Sequence, residues 1–207
     1  MRMFVLMVMS MVTLNAIPMD SNQTDDINET VEIVGDVTIN GKKAKSDKKV
    51  NLGDFIETGS SSNVKFNVGK DAFMVKSNSK ISIKGEQNGL KTLNVLTGGV
   101  VGVFKKGSKY NLKTHNMTAG VRGTGIYLES DSNSTYFCTC YGKTDVKSHS
   151  NKHKELHSVY HKMIVVDSNG TITPTKKMRN HNDDELRVLE KKMNRKPSFD
   201  LIEEIGC

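Results

Sequence analysis

From Val31 onward, apolar and polar residues alternate in short runs that turn residues interrupt. Val37-Thr-Ile39 ends at Asn40-Gly41, the strongest short-range hairpin signal. Val64-Lys-Phe66-Asn-Val68 alternates and turns at Gly69-Lys70-Asp71, and Phe73 and Val75 then share a face. Ile81-Ser-Ile83, Leu93-Asn-Val95, Val101-Gly-Val103, Tyr110-Asn-Leu112, Ile126-Tyr-Leu128 and the run Tyr136 to Tyr141 continue the pattern. Alternation of this kind is the period of a half-buried strand. About a dozen such runs, roughly 8–12 residues apart with no helical period between them, predict a mainly β fold. Without crossover helices the architecture expected is stacked antiparallel sheets, a sandwich or roll, and the glycine-punctuated near-repeat leaves a solenoid-like stacking open.

The two ends of the chain break this pattern. Met1-Arg2 and the apolar run Met3 to Leu14, followed by Leu14-Asn-Ala16, read as a secretory signal peptide over residues 1–16. The run is shorter than a membrane-spanning helix needs. Once it is cleaved, the chain is expected to be periplasmic or secreted and not transmembrane. Residues 17–30 are polar, acidic and aperiodic, a flexible leader. The β domain is assigned to 31–148 and a His- and Lys-rich segment to 149–162. Residues 163–207 should then hold a strand pair, a C-terminal helix and a tail. Met163-Ile-Val-Val166 supplies a strand. Asn182 with Glu185 has the spacing of a capping box, and Leu186, Leu189 and Met193 form one apolar stripe on a helix that Pro197 ends. Phe199 to Cys207 is expected to be a short docked turn.

Composition narrows the class without naming a role. The chain has 207 residues, only 6% aromatic and without Trp, and a formal charge of +7. Such a balance admits nucleic acid, anionic lipid or acidic polymer as partners. The lysine clusters, however, are dispersed over turns and lack the interleaved aromatics that stack bases, so no nucleic-acid partner is expected. No catalytic constellation occurs: there is no G-x-S-x-G or H-E-x-x-H, and His153-Lys-Glu155-Leu-His157 places its Glu at the wrong offset. Five N-x-S/T sequons, at Asn22, Asn28, Asn116, Asn133 and Asn169, follow from an Asn- and Ser-rich composition.

Three stretches carry a family resemblance. Gly35-Asp-Val-Thr-Ile-Asn-Gly41 with Leu52-Gly-Asp-Phe-Ile-Glu-Thr-Gly59, Leu96-Thr-Gly-Gly-Val100, and Thr118-Ala-Gly-Val-Arg-Gly-Thr-Gly125 resemble the FecR domain, a periplasmic module of iron-responsive regulators. Cys138-Thr-Cys140-Tyr-Gly142 and Asn180-His181 with Asp184-Glu-Leu186 are similar to stand-alone members of that group. The resemblance implies a non-enzymatic exported binding module, acting on an envelope receptor or regulator in signal transduction. It does not carry over control of a sigma factor, because about 30 residues precede the domain and they read as signal and leader. The most specific stretch is Gly120, Arg122, Gly123, Thr124 and Gly125. Its glycines suit a tight turn, and Arg122 is a five-donor fork. The expectation is that Arg122 holds carbonyls at the turn; the alternative is contact with an anion or partner. The order G-x-x-G-x-G is not a dinucleotide fingerprint, so no nucleotide is expected.

Cys138 and Cys140 form a C-x-C pair, and Cys207 is the last residue. Same-face neighbours on a regular strand lie roughly 6.5 Å apart, so the pair could bond to each other only across a distorted strand; a bridge from Cys207 to one of them is geometrically open, and two buried thiols in a core face are the expectation. His149, His153, His157 and His161 recur every four residues, and with the two cysteines they offer a sulfur and nitrogen ligand set for Zn or Cu. No helical stripe supports that set, so no cofactor is expected, with a periplasmic metal-binding protein as one alternative. A structural or adhesive envelope protein is the other. His181, beside the helix N-cap, is expected to be structural.

Overall fold

The computed structural model describes residues 31–204 apart from Glu86; the expectations placed on residues 1–30 and on Cys207 lie outside the described residues. The described residues form fifteen strands. They are β1 (Glu32–Val34), β2 (Val37–Ile39), β3 (Lys42–Lys43), β4 (Phe55–Thr58), β5 (Asn63–Val68), β6 (Asp71–Val75), β7 (Lys80–Gly85) and β8 (Lys91–Val103). There follow β9 (Tyr110–Lys113), β10 (Met117–Val121), β11 (Gly125–Ser130), β12 (Ser134–Ser148), β13 (His153–Ser158), β14 (Lys162–Asp167) and β15 (Ile172–Thr175). Helices α1 (Asp183–Lys192) and α2 (Ser198–Glu204) close the described chain.

The strands make two stacked sheets, as the alternation predicts. One runs β1-β5-β6-β8-β11-β12-β14-β15. The other runs β3-β2-β4-β7-β8-β9-β10-β12-β13. Every pairing is antiparallel except β8 with β9, which is parallel. The two longest strands, β8 and β12, belong to both sheets. Each changes sheet at a glycine of positive φ, Gly98 (+83°) and Gly142 (+92°), just after a break in register. A bulge followed by a glycine corner is how a strand bends sharply enough to leave one sheet for another. A Cβ on Gly98 would lie 2.5 Å from Ser79 Cα, so the corner has no room for a side chain. The Leu-Thr-Gly-Gly-Val stretch thus has a structural reason: its first glycine is a corner.

Alternating side chains sort into two buried layers. Between the sheets lie Phe66, Phe73, Val75, Val100, Leu128, Phe137 and Ile164. Their neighbours in sequence, Met74, Val101, Tyr127, Tyr136, Cys138 and Val165, point to the outer face of the β1–β15 sheet. There α1 covers them with Leu186, Leu189 and Met193, and α2 adds Phe199. The expected capping box is present: Glu185 N donates to Asn182 Oδ1 at 3.0 Å, and Asn182 N donates back to the Glu185 carboxylate. Two elements differ from expectation. The tail beyond Pro197 forms helix α2, not a turn. Part of the His- and Lys-rich segment forms strand β13 on the edge beside β12, its alternation carried by Leu156 and Ser158 inward and the histidines outward. The sequon residue Asn116 is fully buried and donates through Nδ2 to the Val166 carbonyl at 2.7 Å, so it is inaccessible to a glycan in the folded chain.

Candidate functional site

The FecR-like turn and the C-x-C-Y-G stretch meet in space. Gly125 pairs with Tyr141, and the register shifts before the next pair, Ile126 with Thr139. Cys140 is therefore the extra residue of a bulge. Gly125 leaves space for the Tyr141 ring, since a Cβ there would sit 2.2 Å from Tyr141 Cε1. Gly123, at φ +65°, passes against the backbone of Lys106, and Gly142 passes against Gly123 and Thr124. Buried Thr124 donates through Oγ1 to the Lys143 carbonyl at 3.0 Å, and its own carbonyl accepts from Phe104 N at 2.9 Å. The two motifs are two sides of one interlocked corner. Gly125→Ala should cost ~1–3 kcal/mol by overpacking against a ring that cannot swing away. Thermal denaturation reads it, and an unchanged Tm would show that the ring yields freely.

Arg122 does not hold carbonyls at this turn. It is exposed, and among the described residues it makes no hydrogen bond or ion pair, Thr124 having taken the bracing role. It lies on the rim of an open cleft of about 560 Å³, lined also by Lys109, Lys143, Asp145, Glu155 and His157, where Gly120 and Val121 form the floor beside Leu156.

A second site lies on the outer face of the other sheet, under α1. The bulge moves the two cysteines out of regular strand geometry, and their Sγ atoms are 3.6 Å apart as free thiols. His161, in the turn between β13 and β14, donates its backbone N–H to the Cys140 carbonyl at 2.9 Å and brings Nδ1 to 3.3 Å from Cys138 Sγ. His181 approaches from the residue preceding the α1 N-cap. The four ligand atoms of Cys138, Cys140, His161 and His181 all lie within 4.8 Å of one another, and all four residues are buried. Tyr127 stacks on the His181 ring at 4.5 Å, and Tyr160 packs edge-on to His161 at the same distance.

Each imidazole is held from behind. His161 Nε2 lies 2.8 Å from Asp183 Oδ1, and the other oxygen of Asp183 accepts from the Tyr160 hydroxyl at 2.8 Å. His181 Nδ1 lies 2.6 Å from the Arg179 carbonyl. A carbonyl only accepts, so Nδ1 carries the proton and Nε2 has its lone pair free. That Nε2 is buried and has no hydrogen-bond partner among the described residues. Burial opposes ionisation of Cys138, but its hydrogen bonds with Cys140 and His161 outweigh it and draw this thiol below its ordinary range. Burial and the neighbouring Cys138 push Cys140 the other way. The arrangement can hold a tetrahedral metal ion or, after oxidation, join the two sulfurs.

Of the histidines spaced by four, only His161 reaches the cysteines. His149 is exposed in the turn after β12. His153 and His157 are exposed on β13, roughly 13 Å apart along an extended strand and so unable to share one ion. His153 instead pairs with Asp145. His181 was expected to be structural, and the donor set includes it. The signal lay in the adjacency of His181 to a strong N-cap, which places a ring at the end of a helix that must dock on the face carrying both cysteines.

No protein-family model matches the chain, and no curated protein matches it. Solved structures that share the fold include two crystal structures, each described as a putative anti-sigma factor from Parabacteroides distasonis. One has a TM-score of 0.51 at 12% identity, with 58% of either chain covered. The other has a TM-score of 0.53 at 11% identity, over 66% of this chain and 64% of that one. The chain thus spans about three fifths of the length of each. Among the described residues no helix is long and apolar enough to cross a membrane.

Proposed function

We propose that this chain is a non-enzymatic, exported binding module of the FecR type, which docks an envelope protein through the turn that carries Arg122. The supporting observation is the contrast within that turn. Gly123, Thr124 and Gly125 are locked against Lys106, Lys143 and Tyr141, while Arg122 just before them is exposed and has no hydrogen-bond or ion-pair partner among the described residues. A rigid backbone that presents a free guanidinium fork is pre-organised for a carboxylate or a carbonyl pair on another molecule. The fold shared with structures described as anti-sigma factors supports a regulatory role over an adhesive one.

Crosslinking and capture from the envelope fraction test this reading, with the chain processed in its own cell and its mass expected to begin at Ile17. The wild-type chain should capture one defined protein, and Arg122→Glu should lose it without a change in Tm. Lys84→Glu, an exposed change on β7 away from the cleft, should retain it. Equal capture by wild type and Arg122→Glu overturns the assignment of the surface.

A further inference from the structure

We propose that Cys138, Cys140, His161 and His181 form a closed tetrahedral metal site of the Zn²⁺ class, which ties the start of α1 and the β13–β14 turn to the β12 bulge. A tetrahedral ion with Zn–S near 2.3 Å and Zn–N near 2.0–2.1 Å requires S···S of roughly 3.8 Å and S···N of roughly 3.5 Å. The structure has 3.6 Å between the two sulfurs and 3.3 Å from Cys138 Sγ to His161 Nδ1. These two spacings are within a few tenths of an ångström of what an ion requires, and the full set, within 4.8 Å, would close by up to about 1 Å around it.

The surroundings discriminate a ligand set from a satisfied core cluster. In a metal site each imidazole is anchored through the nitrogen that does not ligate, and a carboxylate or carbonyl is the usual anchor. Both histidines meet this condition, His161 on Asp183 and His181 on the Arg179 carbonyl. The remaining nitrogens, His161 Nδ1 and His181 Nε2, are those directed at the sulfurs. A buried nitrogen acceptor left without a partner costs about 1–3 kcal/mol, and His181 Nε2 is such an atom. Metal ligation satisfies it. Binding releases the thiol protons to solvent and leaves two thiolates on a dication, a neutral centre suited to a pocket walled by Tyr127, Leu186 and Phe199. All four positions are filled by protein, the pattern of a structural site with no coordination left for substrate.

Untagged, reduced chain purified without chelator should contain one zinc per chain by elemental analysis. Co²⁺ in its place should give the strong visible bands of a tetrahedral S₂N₂ ion and a thiolate charge-transfer band. Cys138→Ser and His181→Ala should each lose the ion, while the double change His153→Ala with His157→Ala keeps it. Asp183→Asn, acting only behind His161, should keep the stoichiometry and weaken affinity about 10–100-fold. The Co²⁺ spectrum of the wild-type chain does not depend on how well any variant folds. An octahedral spectrum, no uptake by the reduced chain, copper in place of zinc, metal retained by Cys138→Ser, or a Cys138–Cys140 disulfide as the native form would each overturn the proposal.

Discussion

Phe73→Ala should lower stability by ~3–5 kcal/mol, the range for truncating a fully buried aromatic residue. Phe73 lies at the middle of β6, faces the space between the sheets and is fully buried. Its ring stacks on Phe66 at 5.4 Å and meets Phe104 at 5.5 Å and Tyr110 at 5.8 Å. These partners come from β5, from the loop after β8 and from β9, so one ring joins elements of both sheets. The vacated volume cannot be filled by its neighbours. Opposite Phe73, Gly102 is already covered by the Phe104 ring, against which a Cβ would lie 3.1 Å away. A cavity with rigid walls costs more than the transfer of the lost atoms alone. For a chain of this size the Tm should fall roughly 10 °C. Denaturant unfolding should show a lower midpoint at an unchanged slope, and Phe73→Leu should recover about half of the loss. A Tm shift within 2 °C or so would mean that the two sheets do not share this core.

Much of this architecture is written locally. Asn40 and Gly41 adopt φ of 53° and 73°, the left-handed pair that a tight hairpin requires, and any reading of Asn-Gly between alternating runs finds it. The alternation of Val64, Phe66, Phe73 and Val75 places one set of side chains inward whatever the partner strand is. Asn182 and Glu185 cap α1 through contacts three residues apart. Other features depend on partners far along the chain. That β8 and β12 each serve two sheets follows from bulges whose unpaired residues, Leu96 and Cys140, are defined only against β7 and β11. Strand β13 looked like solvated loop because every second residue is charged or His, which is what an edge strand with one wet face shows.

The candidate metal cluster divides in the same way. Cys138 and Cys140 are visible as a pair, but a regular strand would hold them roughly 6.5 Å apart, and only the bulge brings their sulfurs together. His161 is recognisable among four equally spaced histidines only once the segment is seen to be a strand and a turn, which separates it from the other three. His181 comes 41 residues after Cys140, and its role follows from where α1 docks. The resemblance to FecR identified the glycines of the corner, while the structure supplies their reason: Gly125 makes room for the Tyr141 ring, and Gly142 for the turn at Gly123 and Thr124.

Glu190→Ala should detach the far end of α1 at a cost of ~3 kcal/mol, near the lower edge of what removing one partner of a buried ion pair costs. Glu190 faces the outer layer of the β1–β15 sheet and is only 4% exposed. One carboxylate oxygen accepts from the Tyr141 hydroxyl and the other from Arg195 Nε. Burial, together with the Glu190 charge, pushes the Tyr141 phenol far above its ordinary range, so it stays protonated and acts as a donor. Truncation leaves that hydroxyl buried and unpaired, while Arg195, about a quarter exposed, can turn partly to water. This places the cost low in the range. Glu190→Gln keeps an acceptor for Tyr141 and should cost less. A double-mutant cycle with Tyr141→Phe should give a coupling of about 1 kcal/mol, and strict additivity would show that the contact contributes nothing. Hydrogen exchange separates local from global loss. The start of α1 is held independently, by the Lys76–Glu185 ion pair and by Asp183 on His161. Protection should therefore fall first around Leu189 to Met193 and less at Asp184 to Leu186. Equal loss along the helix would mean that α1 docks as a single unit.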